Sequence, residues 1–227
     1  MNRMNRRDFV VSTLVYAVAF PIGSKMPGQR QAIEPDLMDL AGRQGLRVFN
    51  RRAGTITDGA RKGARLSENP GDGVAYLQGI EFTNGTIECE IRGRDVLQQS
   101  FVGVAFHGVD GTTYDAIYFR PFNFRSDDAA RRVHAVQYIS HPTYTWQKLR
   151  EEQPGRYERG VNPVPDPNGW FRMHIVIASP GVSVFVADAA DPCLVVNQLG
   201  DRKKGSVGLW VGNNSGGDFA NLKIIPT

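Results

Sequence analysis

From residue 46 onward, the chain consists mainly of short segments in which apolar and polar residues alternate. In 86–92, for example, Ile87, Cys89 and Ile91 alternate with Glu88 and Glu90, as on a strand whose successive side chains point to opposite faces. Turn-forming pairs such as Asn-Gly and Asp-Gly separate these segments. The pattern predicts eleven strands, at 46–50, 74–82, 85–92, 101–107, 113–120, 134–140, 170–178, 181–187, 193–198, 205–212 and 219–225.

The spacing of these strands predicts an all-β fold, because no long amphipathic helix interrupts them. Short strands joined by frequent turns are typical of two stacked antiparallel sheets, as in a jelly-roll sandwich. The 25 glycines and 13 prolines favour turns, and 41% hydrophobic residues suffice for the core of one domain. Two short helices are expected, at 35–43 and 146–152, the second within a long connection between strands.

The first 19 residues are predicted to be an export signal. Basic residues up to Arg7 precede an apolar run at 10–19, which ends in Ala17-Val18-Ala19, the small-x-small form of a cleavage site. The run is shorter than the roughly 18 residues that a membrane-spanning helix needs, so no stable membrane anchor is expected. Residues 20–45 are interpreted as a linker and lead-in, and 46–227 as the sandwich.

The segment 5–10, with the sequence NRRDFV, resembles the twin-arginine export motif. The resemblance implies a protein that folds in the cytoplasm and acts in the periplasm or outside the cell, because that pathway moves folded chains. A general secretory signal and an ordinary basic N-terminus are the alternatives.

Charge and cysteine content exclude several functional classes. The net charge is +4, part of it from the predicted export signal, and the remaining charges are too mixed in sign for a nucleic-acid-binding surface. Two cysteines are too few for a disulfide framework or a four-thiolate zinc site. Cys89 and Cys193 are interpreted as buried free thiols, with a disulfide between them as the alternative.

Four segments resemble the strands of a known superfamily. Residues 82–88 (FTNGTIE) and 101–106 (FVGVAF) resemble early strands of concanavalin A-like lectin/glucanase sandwiches, and 208–212 (GLWVG) with 218–224 (DFANLKI) is similar to their closing pair. Laminin G-like modules and a bacterial domain family associated with 3-keto-glycoside hydrolysis share related patterns. The resemblance implies a β-sandwich but no single function, because this fold carries lectins, binding modules and hydrolases alike.

Residues 101–170 hold the candidate functional site, since they contain more than half of the aromatic residues. Alternation predicts a ligand-facing side of one strand, formed by Tyr114, Ala116, Tyr118 and Arg120. Asp115 then shares the opposite, apolar face, from which it could reach a ligand only at the strand's end or through a bulge. The connection 141–167 is much longer than a typical loop, which favours a functional role.

Sugar recognition requires the mixture of side chains found in this region. The apolar face of a pyranose stacks on Trp or Tyr, and its hydroxyl groups need planar donors and acceptors. A carbohydrate or glycoside is therefore the predicted ligand, and the predicted ligand-binding residues are Arg120, Asn123, Gln137, Tyr144, Trp146, Arg150 and Tyr157. The alternative is that these side chains only pack the long connection.

A glycoside-cleaving enzyme is the alternative function, with Glu158 or Asp115 as the acid/base group. The Glu-x-Asp-x-x-Glu motif of glucanases is absent from the sequence, but elimination from a 3-keto sugar needs only one base. A laminin G-like protein-interaction module is the third possibility. No cofactor is expected, although turns at 110–111 and 213–218 offer oxygen ligands for calcium, and the histidines lack zinc-site spacing.

Overall fold

Residues 31–227 are described by a computed structural model, in which two antiparallel sheets of seven strands each form a sandwich. The predicted all-β, two-sheet fold is therefore confirmed. The predicted export signal at 1–19 and the first part of the predicted linker lie outside the described residues. Within 31–227, no helix has the length and apolar character needed to cross a membrane.

Both sheets are built from strands that are distant in sequence. The first sheet contains, in spatial order, β1 (Leu46–Phe49), β4 (Gly73–Phe82), β13 (Gly205–Val211), β6 (Val102–Gly108), β7 (Tyr114–Phe119), β8 (Val136–His141) and β9 (Glu158–Arg159). The second contains β12 (Leu194–Asn197), β11 (Gly181–Val186), β10 (Phe171–Ala178), β5 (Gly85–Arg92), β14 (Gly217–Pro226), β3 (Arg61–Leu66) and β2 (Ala53–Asp58). Three short helices accompany them: α1 (Leu37–Gly42), α2 (Ala129–Arg132) and α3 (Trp146–Glu152).

The core lies between the sheets and follows the predicted alternation. In β5, Ile87, Cys89 and Ile91 are buried, whereas the glutamates between them are partly exposed. Across the core, the ring of Phe119 on β7 packs edge-on against Phe171 on β10, with their centroids 5.2 Å apart. Such interdigitation of two inner faces is the usual core of a β-sandwich.

Both cysteines are free thiols, as expected; Cys89 is buried in the core, whereas Cys193 is only partly buried. Burial raises the pKa of the Cys89 thiol well above its usual range. The thiol therefore stays protonated at neutral pH, as expected of a packing residue.

Strands β2, β3 and β9 were not predicted, whereas the helix expected at 35–43 is found as α1. The β2–β3 hairpin contains few apolar residues, and its ladder to β14 supports it. Upstream, Ile33 exchanges backbone hydrogen bonds with Ile224, and α1 buries Leu37 and Ala41. The packed domain therefore begins before residue 46.

Candidate ligand site on the outer face of the first sheet

Strand β7 divides its side chains between the core and the outer face of the first sheet. Phe119 points inward, whereas Tyr118 points outward and packs against the Trp210 ring on β13 at 4.8 Å. Arg120 directly follows the strand, and its guanidinium lies 4.9 Å from the centre of the Tyr118 ring. The predicted division of the strand into two faces is confirmed.

A row of polar side chains crosses the outer face from β7 to β9. The register aligns Tyr118 with Gln137 and Gln137 with Glu158. The Tyr118 hydroxyl donates to Gln137 Oε1 at 2.8 Å, and Arg120 Nη2 donates to the Tyr118 hydroxyl at 2.7 Å and also to Gln137 Oε1. Burial raises the pKa of Tyr118 to about 12, so its hydroxyl remains a donor at neutral pH.

Glu158 ends this row and is surrounded by two arginines and a histidine. Arg150 binds it with two hydrogen bonds, Nε to Oε1 at 3.0 Å and Nη2 to Oε2 at 2.7 Å. Oε2 also lies 2.8 Å from His134 Nδ1 and 3.7 Å from Arg120 Nη1. We call Arg120, His134, Gln137, Arg150 and Glu158 the Arg–Glu cluster.

These contacts decide the charge state of Glu158. Burial opposes ionisation of the carboxyl, but hydrogen bonds and charge from Arg150, together with His134 and Arg120, outweigh it and lower its pKa. Glu158 is therefore ionised at neutral pH. A carboxylate in this state carries no proton to donate to a leaving group.

Helix α3 places two predicted ligand-binding residues at the edge of this cluster. The helix spans the predicted residues and begins after Thr145, whose side chain accepts from the backbone N–H of Lys148 at 3.3 Å. Leu149 is buried, while Trp146 remains 40% exposed. Trp146 and Arg150, one helical turn apart, stack with 5.1 Å between the guanidinium and the ring.

The other predicted ligand-binding residues occupy different environments. Asn123 is buried beside the cluster, and its Nδ2 donates to the His134 carbonyl at 3.1 Å. Tyr144 is partly buried under Lys148 Nζ, which lies 5.6 Å from its ring centre. Tyr157 is buried and packs against Tyr138, whose hydroxyl reaches the inner-face residue Asp115. The structure thus brings Asn123 to the Arg–Glu cluster but directs Tyr157 away from it.

Asp115 belongs to a separate cluster on the inner face. Its carboxylate lies 3.0 Å from His107 Nδ1 and 3.1 Å from Arg202 Nη2, and it accepts from the Tyr138 hydroxyl at 3.2 Å. Glu158 shares the outer face with Gln137, so the sheet separates the two carboxylates that the sequence suggested for catalysis. The structure does not bring them together around one ligand.

A second polar group on the outer face was not predicted. The Asp72 Oδ2 atom accepts from the Tyr114 hydroxyl at 3.1 Å and lies 3.9 Å from Nδ1 of His141. The His141 ring stacks on Tyr114 at 5.0 Å. Asp72 lies in the turn before β4, where nothing in the local sequence pattern distinguishes it from an ordinary turn aspartate.

Burial shifts both titratable members of this group toward their neutral forms. Desolvation raises the pKa of Asp72 despite the nearby His141, Tyr114 and Arg51. Desolvation likewise lowers the pKa of His141. Perturbed groups of this kind concentrate at functional sites.

Replacing Asp72 with asparagine is expected to stabilise the protein at pH 7, by about 0.5–2 kcal/mol if it acts like other single stabilising substitutions. Because the folded-state pKa is raised, the carboxyl contributes most to stability below its ordinary pKa, and that contribution is lost as pH rises through the raised value. Asparagine imitates the neutral carboxyl at every pH. Urea unfolding at pH 7 and near pH 3 should show a gain that disappears in acid, and Asp191→Asn, at an exposed loop, should show none. A loss of stability at pH 7 would contradict this expectation.

Several buried nitrogen atoms around this face have no hydrogen-bond partner within residues 31–227, namely Arg51 Nε, Gln137 Nε2, His141 Nε2 and Trp210 Nε1. The Trp210 indole faces the Tyr114 hydroxyl but lacks hydrogen-bond geometry with it. Buried polar groups are normally paired, and an unpaired one costs about 1–3 kcal/mol. All four atoms are buried, so they lie out of reach of a ligand in this conformation.

Three of the side chains considered for calcium, Asp110, Asn213 and Asp218, have protein partners. Asn213 Oδ1 accepts from the Gly71 backbone N–H at 2.7 Å, and Asp218 forms ion pairs with Arg65 and Arg92. Asp110 Oδ1 accepts from the Thr112 backbone at 2.8 Å. Within the described range, no group of three or more His, Cys, Asp or Glu side chains could hold a metal ion.

Two grooves of about 630 and 570 Å³ lie elsewhere, against the second sheet. Their walls carry charged residues, such as Glu90 and Arg172 in one and Arg65, Arg92 and Asp218 in the other. These residues neutralise each other or their neighbours in ion pairs. None of the predicted site residues lines either groove, so the outer face of the first sheet remains the candidate site.

Comparison with known proteins identifies the fold as a concanavalin A-like jelly roll. The carbohydrate-binding module CBM66 from Bacillus subtilis superposes with a TM-score of 0.58 at 12% identity, over 79% of this chain and 95% of the module. The Bacillus licheniformis β-glucanase gives 0.53 at 13% identity, over 89% and 100% of the two chains. The exoplasmic/lumenal domain of VIP36, in its Ca²⁺/Man3GlcNAc-bound form, gives 0.51 at 9% identity, over 81% and 86%.

At such identities the likeness concerns the fold alone. No protein-family model matches the sequence, and neither does any curated protein.

Proposed function

We propose that this protein binds a carbohydrate on the outer face of the first sheet, at the edge formed by α3 and the Arg–Glu cluster. The observation that carries the proposal is the exposed Trp146 ring stacked on Arg150, whose guanidinium is held by the buried Glu158. An apolar ring platform beside fixed polar groups matches the two kinds of surface that a sugar presents.

The Arg–Glu cluster keeps this platform in place before any ligand arrives. Arg150 is fixed by two hydrogen bonds to Glu158, and Arg120 is fixed by the His134 carbonyl, Tyr118 and Gln137. Side chains that are already ordered lose little conformational entropy on binding. Glu158 therefore serves as a positioning residue, which orients Arg150 and through it Trp146.

The arrangement supports binding more than glycoside cleavage by the two predicted carboxylates. Glycosidases need two carboxyl groups about 5–5.5 Å or about 6.5–9.5 Å apart on either side of the scissile bond. Asp115 and Glu158 lie on opposite faces of the sheet, and both carboxylate oxygens of Glu158 accept hydrogen bonds from Arg150. The structural neighbours are consistent with this proposal, since one is a carbohydrate-binding module and another is bound to Man3GlcNAc.

We also propose that the protein acts outside the cytoplasm. The support is the pattern of residues 1–19, with its basic start, apolar run and small-x-small ending.

Replacing Trp146 with alanine is expected to weaken carbohydrate binding at least tenfold, because the exposed ring supplies the stacking surface. Stability should change by less than about 0.5 kcal/mol, as for most exposed side chains. A glycan array identifies the ligand for the wild-type protein, and titration calorimetry then measures the affinity of each variant.

Val195→Ala is the matched control, because Val195 is also a large, exposed apolar residue but lies on β12 of the second sheet. It should leave affinity unchanged. Equal affinities of Trp146→Ala and the wild-type protein would reject the proposed platform, and failure of the wild-type protein to bind any glycan would reject the function.

A further inference from the structure

We propose that the carbohydrate bound at this site carries negative charge, as a uronic acid or a sulfated sugar does, and that its anionic group binds beside Arg150. This inference rests on the proposed carbohydrate-binding function and specifies its ligand class. Two observations support it: the balance of charge in the stretch that forms the site, and the cationic side chains that this stretch exposes.

The stretch that forms the site is more basic than the rest of the domain. Residues 120–159 contain eight Lys and Arg side chains but five Asp and Glu, whereas the rest of 31–227 contains 14 and 17. Positive charge is thus concentrated around the site, and the remainder of the domain carries a slight excess of negative charge. A surface of one sign attracts ligands of the opposite sign and speeds their association.

Within the Arg–Glu cluster, two guanidinium groups share one carboxylate. Arg150 donates to both oxygens of Glu158, and Arg120 Nη1 lies 3.7 Å from Oε2 of the same residue. The hydrogen bonds of Arg120 go to neutral acceptors, among them the His134 carbonyl and the Tyr118 hydroxyl. One positive charge of the cluster is therefore not matched by a carboxylate of the cluster.

Arg150 is the arginine of this pair that a ligand can reach. Its side chain is 37% exposed, whereas that of Arg120 is 6% exposed. The bonds to Glu158 use Nε and Nη2, which leaves Nη1 for a ligand. The guanidinium lies against the ring of Trp146, so a sugar on that ring brings an acidic substituent close to Arg150. Hydrogen bonds between a guanidinium and an anionic group are stronger than those between neutral groups.

Two exposed arginines on either side of Glu158 in the chain extend the basic surface. Arg156 donates to Gln153 Oε1 at 3.0 Å and Arg159 to the Glu158 carbonyl oxygen at 2.9 Å, so both use uncharged acceptors. They are one or two residues from Glu158, at most about 7 Å along the backbone. Charges act over about 8 Å at physiological ionic strength, so both arginines add to the positive potential around Glu158 and Arg150.

The first test changes the charge of the ligand and leaves the protein unchanged. A glycan array carries neutral, uronic acid and sulfated oligosaccharides, and titration calorimetry then compares the strongest acidic binder with its methyl-esterified or desulfated form. We expect acidic glycans to give the strongest signals, and removal of their charge to lower affinity at least tenfold. Raising NaCl from about 50 to about 300 mM should weaken binding of the acidic form and change that of the uncharged form little.

The second test removes single cations from the protein. Arg150→Gln should lower affinity for the acidic glycan at least tenfold, and by more than affinity for its uncharged form. Arg156→Gln and Arg159→Gln should each lower affinity for the acidic glycan about twofold to threefold. Arg43→Gln is the matched control, because Arg43 is 79% exposed and follows α1, which packs against β2 and β3 of the second sheet. It should leave both affinities unchanged.

The outcomes separate this inference from the proposed function. If neutral glycans bind through Trp146 as tightly as acidic ones, or if removal of the ligand's charge leaves affinity unchanged, this inference fails and the proposed function stands. If acidic glycans bind Trp146→Ala as tightly as the wild-type protein, they bind by general charge attraction outside the site, and the inference also fails. If no glycan binds, the proposed function fails as well.

Discussion

Glu158→Gln is expected to lower the free energy of unfolding at pH 7 by about 2–3 kcal/mol, the range for losing hydrogen bonds to a charged group. This is less than the loss of a fully buried ion pair, because the Arg150 side chain is 37% exposed and stays partly hydrated. Glutamine is almost the same size but carries no charge, so it leaves Arg150 and Arg120 without the anion that both approach. Its amide group also presents N–H donors toward guanidinium donors. The loss therefore comes from charge and hydrogen bonding and not from packing.

The pH dependence of this effect has a defined sign. The pKa of Glu158 is lowered in the folded protein, so its contribution to stability is present above its ordinary pKa. That contribution is lost as pH falls through the folded-state value. Urea unfolding should therefore show a large difference between the wild-type protein and Glu158→Gln at pH 7, and a smaller difference near pH 3.

Glu152→Gln is the matched control for this experiment. Glu152 ends the same helix, is exposed, and lies 4.0 Å from Lys148 Nζ, so its removal should cost less than about 0.5 kcal/mol. Unchanged stability of Glu158→Gln would contradict the positioning role. If that variant instead abolished turnover of a glycoside without loss of stability, Glu158 would be an acid/base residue.

Asp115→Asn is expected to lower the free energy of unfolding by about 3 kcal/mol and to leave carbohydrate affinity unchanged. The fully buried carboxylate accepts a hydrogen bond from the Tyr138 hydroxyl. It also lies 3.0 Å from His107 Nδ1 and 3.1 Å from Arg202 Nη2. An asparagine amide retains one acceptor oxygen and turns an N–H₂ group toward some of these donors. The unfavourable contact is on the inner face, away from the proposed site.

Urea unfolding and titration calorimetry on the same sample test both parts of this expectation. Asp201→Asn serves as the control, because Asp201 is exposed and directly precedes Arg202 in the chain. Weaker binding by Asp115→Asn without destabilisation would place Asp115 in the ligand site, as one interpretation of the sequence suggested.

Much of the fold could be predicted because several elements carry a clear local pattern. Strand β5 alternates with a period of two, and the structure gives it the predicted bounds. Alternation in β7 also correctly assigned Tyr118 to one face and Ile117 to the other. Strands β2, β3 and β9 lack such a pattern. Pairing with a distant strand supports the β2–β3 hairpin, and β9 contains only two residues, which pair with β8.

The candidate site was predictable only where it is local in sequence. Arg120, Gln137, Arg150 and Glu158 all lie in the aromatic-rich segment, and the structure brings them into contact. Asp72 escaped prediction because its proximity to His141 depends on how β4 and β8 are placed in one sheet. A single sequence holds no period or spacing that reports such a contact between distant strands.

The two polar groups on the outer face differ in how the chain assembles them. The Arg–Glu cluster comes from one continuous stretch of the sequence, residues 120–158, which contains β8 and α3 and ends on the first residue of β9. His141 lies on β8 in the same stretch, so exchange of the whole stretch would also remove the partner of Asp72. The connection between β8 and β9 carries α3 with Trp146 and Arg150. Evolution or protein engineering could therefore change ligand preference in that connection while β8 keeps Gln137 and His141 in place.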